Sequence, residues 1–247
     1  MYSETPPLLG YLVGNELSES SIRNTDQVHP DMTQYRGSYI QTDSSRSATE
    51  SFIAEMADYV IEYSIVAYNY RPLVSYTNDI RTFDDLRTPF LDFQSQNAYS
   101  YAVPYYRPGQ TPGSKTGTLF QGWVETLKAA FPEQPLVITE TGLSVSPEAP
   151  HIGPPNYGYG GNTEQEQSNG ILQNLNDIET AQQPVAGAII HEYLDAWWKS
   201  GLEDSYVHEP EDIEEWFGLV ALEPSSDWYV TIPRQAYYAV QSKWTGN

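Results

Sequence analysis

The chain has 247 residues, 33 of them acidic and 12 basic (4 Lys, 8 Arg), for a formal charge of −21 at pH 7. The length allows one large domain or two small ones, and 39% hydrophobic residues with 13% aromatics exclude a disordered chain. The acidity excludes a general nucleic-acid binder, which needs a basic footprint, and argues against an anionic membrane surface as partner.

Short apolar runs bounded by turn residues predict buried strands over Leu8–Val13, Pro72–Tyr76, Phe90–Phe93, Pro135–Thr139 and Val185–Ile190. Apolar residues at helical spacing predict helices over Ser47–Tyr63, Thr118–Phe131, Glu164–Gln182 and Pro233–Trp244, with Asn162-Thr163 as a cap for the third. Strand and helix alternate, so the class is α/β with a parallel sheet. Helix-to-strand connections are short, at 132–134 and 183–184. Strand-exit connections are long: Leu17–Arg46, Asn97–Gly117, Thr141–Thr163 and Glu192–Pro233. In a parallel α/β fold those exits share one face, so elaborating them alone points to a barrel or open sheet with its site at the strand C-termini. Random insertion would lengthen both kinds of loop. No internal repeat and no linker interrupts the chain, which predicts a single domain over residues 1–247.

Two predicted strands run into a glutamate. Leu12, Gly14 and Glu16 share one side of the first by period-two alternation; Leu136, Ile138 and Glu140 share one side of the fourth. One glutamate at a strand end is most simply a solvated rim acid. Two such carboxylates at a strand-end face are what glycosidic bond cleavage uses: one protonates the leaving oxygen, the other attacks the anomeric carbon or activates water. Twenty Tyr and six Trp provide flat apolar faces with polar edges, which suit sugar stacking as well as a core.

Asn15-Glu16 after one strand, and Glu140 in Thr139-Glu140-Thr141-Gly142 after a later one, resemble the superfamily of retaining β-glycosidases on (β/α)₈ barrels, β-glucanase- and β-galactosidase-like members in particular. The stretch Asp92–Tyr99 resembles the sixth strand of that fold, Gly187–Lys199 the eighth, and Glu214–Leu219 with Arg234–Tyr238 the closing segment. The resemblance implies that Glu16 is the acid/base and Glu140 the nucleophile, with Asn15 on the sugar 2-hydroxyl. It also implies a tyrosine that orients Glu140, either Tyr99 or one of Tyr101, Tyr105 and Tyr106. Glu192, Tyr193, Trp197, Trp198 and Trp216 are the expected sugar-binding residues, although at least one of the tryptophans should pack under the last loop. The expected ligand is an oligosaccharide or polysaccharide, with no cofactor. Tyr157–Asn162 suits a lid over a sugar subsite or a plain mobile loop, and it lacks the Gly-Lys-Ser/Thr end of a phosphate loop.

Other chemistries fit poorly. With no cysteine there is no disulfide scaffold, thiolate metal site or thiol nucleophile. His29, His151, His191 and His208 are scattered without zinc-ligand spacing, and Ser144 and Ser146 lack a nucleophile elbow. The acidic stretch Glu203–Glu215 lacks calcium-loop spacing and reads as a solvated rim. No apolar run is long enough to span a membrane and no signal peptide is evident; the low pI hints at a salty or acidic outside environment. The length equals that of a whole barrel, about 250 residues, yet by the resemblance the chain holds only strands four to eight. Five strands do not close an eight-stranded barrel. The expectation is a partial barrel, completed by a homodimer partner or a complementing N-terminal barrel segment, or surviving as a half-barrel.

Overall fold

In the computed structural model, residues 8–100, 116–181, 184–200, 207–226 and 229–246 are described. Tyr101, Tyr105, Tyr106 and the start of the acidic stretch lie outside them. The described chain forms β1 (Gly10–Asn15), α1 (Glu19–Val28), α2 (Ala48–Tyr68), β2 (Leu73–Asn78), β3 (Gln94–Asn97), α3 (Leu119–Ala130), β4 (Leu136–Thr141), α4 (Glu164–Glu179), β5 (Gly187–Ile190), β6 (Val220–Pro224), β7 (Tyr229–Pro233) and α5 (Gln235–Thr245). Among the described residues, no helix is long and apolar enough to cross a membrane.

Contacts divide the described residues into two compact units: those up to Asn97 together with Phe131–Val137, and those of Ala98–Ala130 together with Ile138 onwards. The main sheet runs in chain order, β1-β2-β3-β4-β5. In the first unit β1 pairs parallel with β2, and β2 with β3. There the Gln94 N–H also donates to the Pro135 carbonyl at the entrance to β4. The second unit holds the rest of β4, whose Thr141 carbonyl accepts from the His191 N–H at the end of β5. β6 and β7 form a separate antiparallel hairpin inside the long exit from β5.

Four of the five strands lie where apolar runs place them; the third does not. The run Phe90–Phe93 is turn, and the strand is the next four residues, Gln94-Ser95-Gln96-Asn97, all buried. Hydrogen bonds make that polar strand stable inside. Ser75 Oγ donates to the Phe93 carbonyl at 2.7 Å, the Thr77 and Ser95 hydroxyls pair at 2.7 Å, and Gln94 Nε2 donates to Gln134 Oε1 at 2.9 Å. Strand–helix alternation also breaks here, since turns rather than a helix carry the chain over residues 79–93 to the parallel β3.

α2 begins with a full capping box: Ser47 Oγ accepts from the Glu50 N–H while Glu50 accepts from the Ser47 N–H. Thr163 and Glu166 do the same for α4, and Asn162 instead donates to the Ser144 carbonyl. The first unit's core packs Ile53, Ala54, Ala57 and Ile61 of α2 against Val74 and Tyr76 of β2. The second packs Ile171 and Leu175 of α4 against Leu219, Ala236 and Val240. β1 is an edge strand, and Tyr11 and Leu12 on it are exposed, as are Tyr59, Tyr63 and Tyr68 of α2.

Asp58 on α2 anchors the loop that leaves β1. Its buried carboxylate accepts the backbone N–H groups of Tyr39 and Ile40, each at 2.6 Å, that of Ser38 at 3.2 Å, and the Tyr35 hydroxyl at 3.3 Å. Removing it leaves the buried Ile40 N–H unpaired, at about 1–3 kcal/mol, and frees the part-buried donors of Tyr35, Ser38 and Tyr39. Asp58→Ala should therefore lose about 2–3 kcal/mol of unfolding free energy in urea denaturation, with early proteolytic nicking at residues 36–41.

Candidate active site

In the first unit the chain leaves β1 through Glu16, whose φ of 48° puts a non-glycine residue in the left-handed region. That conformation is uncommon and clusters at functional positions. Its N–H donates to the Thr77 carbonyl at 3.0 Å, which ties the turn to β2. The half-buried carboxylate is held from two sides. Asn97, at the end of β3, donates from Nδ2 to Glu16 Oε1 at 2.8 Å and to Asn15 Oδ1 at 3.2 Å. Arg81 donates from Nη2 to Glu16 Oε2 at 2.6 Å and is also paired with Asp79. The Asp79 hydrogen bond is the largest influence raising the Arg81 pKa; burial opposes it, and the charges of Asp79 and Glu16 add to it. Below them, the Leu17 N–H donates to the Tyr76 hydroxyl, whose pKa burial pushes up to about 12.

In the second unit Glu140 is half-buried near the end of β4. The Ala98 N–H donates to the Glu140 carbonyl at 2.9 Å, which brings the next residue alongside: the Tyr99 hydroxyl donates to Glu140 Oε2 at 2.6 Å. The Tyr99 ring meets Phe217 and His191 edge-on, at 6.2 and 6.5 Å between centroids. Gly142 explains the last letter of Thr-Glu-Thr-Gly, because a Cβ there would lie 1.9 Å from the His191 carbonyl oxygen.

The expected sugar-binding residues of the β5 exit differ in environment. Glu192 is paired with Lys199 at 3.0 Å. Tyr193 is 65% exposed, with its ring 6.5 Å from that of Tyr237. Trp197 stacks on Tyr229 at 5.6 Å and meets Trp198 edge-on; Trp198 is 49% exposed. Trp216 is the tryptophan packed under the loop. Its indole donates to the Glu209 carbonyl at 2.8 Å, and its ring lies 4.7 Å from that of His208. Within Tyr157–Asn162, Tyr157 is 4% exposed and packs against Gly170 of α4. The acidic stretch departs from a solvated rim, since Glu215 is fully buried and accepts the Glu209 N–H at 2.6 Å. Glu209, Glu211, Asp212 and Glu214 line a cavity of about 380 Å³, and no group of three or more residues among those described could hold a metal ion.

A buried ion pair fixes this loop. Arg234 makes two hydrogen bonds of 2.6 Å to Asp195 and one of 2.7 Å to the Gly218 carbonyl, and the Gly218 N–H returns to Asp195. His208 lies 3.5 Å from the same carboxylate. Sequence reasoning missed Arg81, Asn97, Asp195 and Lys199. Arg81 and Lys199 were marked only by rarity, as two of 12 basic residues, and Asn97 and Asp195 carried no signal of their own.

No family model and no curated protein sequence matches the chain. Among solved structures it is similar to a β-glucuronidase from an uncultured Clostridium sp., at 16% identity and TM-score 0.50 over 93% of this chain and 36% of that one. It is also similar to Ruminococcus gnavus β-glucuronidase, at 15% identity and TM-score 0.50 over 86% and 30%. A glycoside hydrolase family 17 β-1,3-glucanosyltransferase from Rhizomucor miehei matches 86% of this chain and 59% of its own, at 14% identity and TM-score 0.47. The chain spans about a third of the length of the β-glucuronidases it matches. The likeness to the two β-glucuronidases is one of fold: five parallel strands with helices fit a partial (β/α)₈ barrel.

Burial is the main influence lowering the His208 pKa; Arg234 adds to it, and Asp195 and Glu215 oppose it. A folded-state pKa below the unfolded value, about 6.5, contributes stability above that pH and loses it as pH falls through the folded value. Unfolding free energy should therefore decline between pH 7 and 5, and His208→Gln should make the decline shallower. An unchanged slope in denaturation series at both pH values would contradict this.

Proposed function

We propose that the chain is a retaining glycoside hydrolase or transglycosylase acting on β-linked, glucan-like saccharides through Glu140 and Glu16. The observation that carries the reading is the Tyr99 hydroxyl bond to Glu140 at the end of β4, which orients one carboxylate oxygen and leaves the other for attack. In the first step Glu140 forms a bond to the anomeric carbon as the glycosidic bond breaks, and Glu16 delivers its proton to the departing oxygen. In the second, Glu16 takes a proton from water, which attacks the same carbon and releases Glu140. To carry a proton Glu16 must give up its contact with Arg81, and Asp79 is already placed to keep that cation paired. Asn15 would hold the sugar 2-hydroxyl. Glu192, Tyr193, Trp197, Trp198 and Trp216 would line the sugar path, Trp216 through its neighbours. Five strands leave a barrel open, so further strands from a second copy or a complementing N-terminal barrel segment would complete the sugar path, while both carboxylates the chemistry needs lie on this chain.

A second reading is a carbohydrate-binding or assembly module built on the same half-barrel and without turnover. The open edge of β1, with Tyr11 and Leu12 exposed, favours it. Kinetics on aryl β-glucosides separate the two. Glycosidase action predicts hydrolysis of 4-nitrophenyl β-D-glucoside by the native chain and none by Glu140→Gln. It also predicts that Glu16→Ala loses about 10²–10⁴-fold on poor leaving groups, little on a 2,4-dinitrophenyl glucoside, and recovers with azide. Oligosaccharide binding without hydrolysis by either chain would leave the module reading standing.

A further inference from the structure

At the end of β5, His191 combines geometry and chemistry that the two-carboxylate mechanism does not use. Its Nε2 lies 3.1 Å from Lys199 Nζ. An ammonium has three donors and no lone pair, so Nε2 must be the acceptor. That assigns the ring proton to Nδ1 and leaves the imidazole neutral. Glu192 cannot reverse the assignment: its Oε1 is 3.9 Å from Nε2 and already accepts from Lys199 at 3.0 Å. Lys199 is braced on its other side by Glu214, at 3.7 Å. The imidazole is clamped edge-on between Phe217, at 5.3 Å, and Tyr99, at 6.5 Å, and Tyr99 is the residue bonded to Glu140. The side chain remains 23% exposed, so a ligand can reach it.

We propose that Lys199 fixes His191 as the neutral Nδ1–H tautomer and thereby makes it a positioning residue beside Glu140, an uncharged wall with a single donor directed by its tautomer to a sugar hydroxyl. The sugar part of this inference rests on the proposed glycosidase function; the tautomer does not. A neutral ring matters because an imidazolium there would compete for the negative charge of the carboxylate that has to attack. The charged and titratable groups around the ring are Lys199, Glu192, Glu140 and Tyr99. Burial is the main influence holding the ring's pKa below the ordinary histidine value; Lys199 adds to it, and Glu192 and Glu140 oppose it.

Long-range ¹H–¹⁵N spectra of the native chain test the tautomer directly, without any activity. The expected result is Nδ1–H at pH 7 with a midpoint below about 6.5. Lys199→Met should raise the midpoint and mix the tautomers, and Lys199→Arg should restore both. An Nε2–H tautomer in the native chain, or a Lys199→Met spectrum identical to it, overturns the inference. With 2,4-dinitrophenyl β-D-glucoside as probe, Lys199→Met should move the acid limb of kcat/KM to higher pH, and Lys199→Arg should move it back. An unmoved limb overturns the positioning role. A native chain that hydrolyses no glycoside, with the Nδ1–H tautomer intact, overturns the glycosidase reading instead.

Discussion

The placement of Glu140 depends on the backbone pairing of β4. Leu136 and Ile138 are fully buried, so this strand cannot shift register without exposing its apolar side chains. The Ala98 N–H takes the Glu140 carbonyl, and that single bond determines that Tyr99 reaches Glu140 with its hydroxyl. The His191 N–H takes the Thr141 carbonyl, and the missing side chain of Gly142 lets the His191 carbonyl close over the turn. Tyr99 and His191 thus become neighbours of one carboxylate through main-chain geometry, not through any attraction of their own.

Cations are scarce in this chain, and their positions follow from electrostatics. A carboxylate drawn from water needs hydrogen bonds or an opposite charge. Arg81 serves Glu16 and Asp79, Lys199 serves Glu192 and Glu214, and Arg234 serves the buried Asp195. Arg81 follows β2 and Lys199 follows β5 of the main sheet, while Arg234 follows β7 of the hairpin. The net charge of −21 is therefore compatible with ordered carboxylates at these positions, because each has a cation or hydrogen-bond donors beside it.

Much of the fold was legible because burial leaves a pattern. Leu136–Ile138 and Val74–Tyr76 are apolar and fall in strands, and Ser47 with Glu50 announces a helix. β3 was misplaced by four residues because Gln94–Asn97 is polar, and its stability comes from Ser75, Thr77 and Gln134, which are distant in sequence. The β6–β7 hairpin and α1 were read as loop: both are short, and α1 buries only Ile22. At the candidate site, Glu16 and Glu140 stood out because each follows an apolar strand. Asn97, Arg81 and Lys199 did not, since nothing in a lone loop residue tells which carboxylate it will meet. Tyr99 was one of four tyrosines in its stretch, and the Ala98–Glu140 backbone bond that brings it to Glu140 leaves no mark in the sequence.

The central claim is that Glu140 forms a covalent bond to the sugar. Incubation with 2,4-dinitrophenyl 2-deoxy-2-fluoro-β-D-glucoside tests it most directly. The fluorine destabilises both oxocarbenium-like transition states, and the activated leaving group keeps the first step fast enough to accumulate the ester. Mass spectrometry of the intact chain followed by peptide mapping should find one fluoroglucosyl group, carried by the peptide that contains Glu140. A chain that hydrolyses the parent glucoside yet carries no label, or carries it on another residue, would contradict the account.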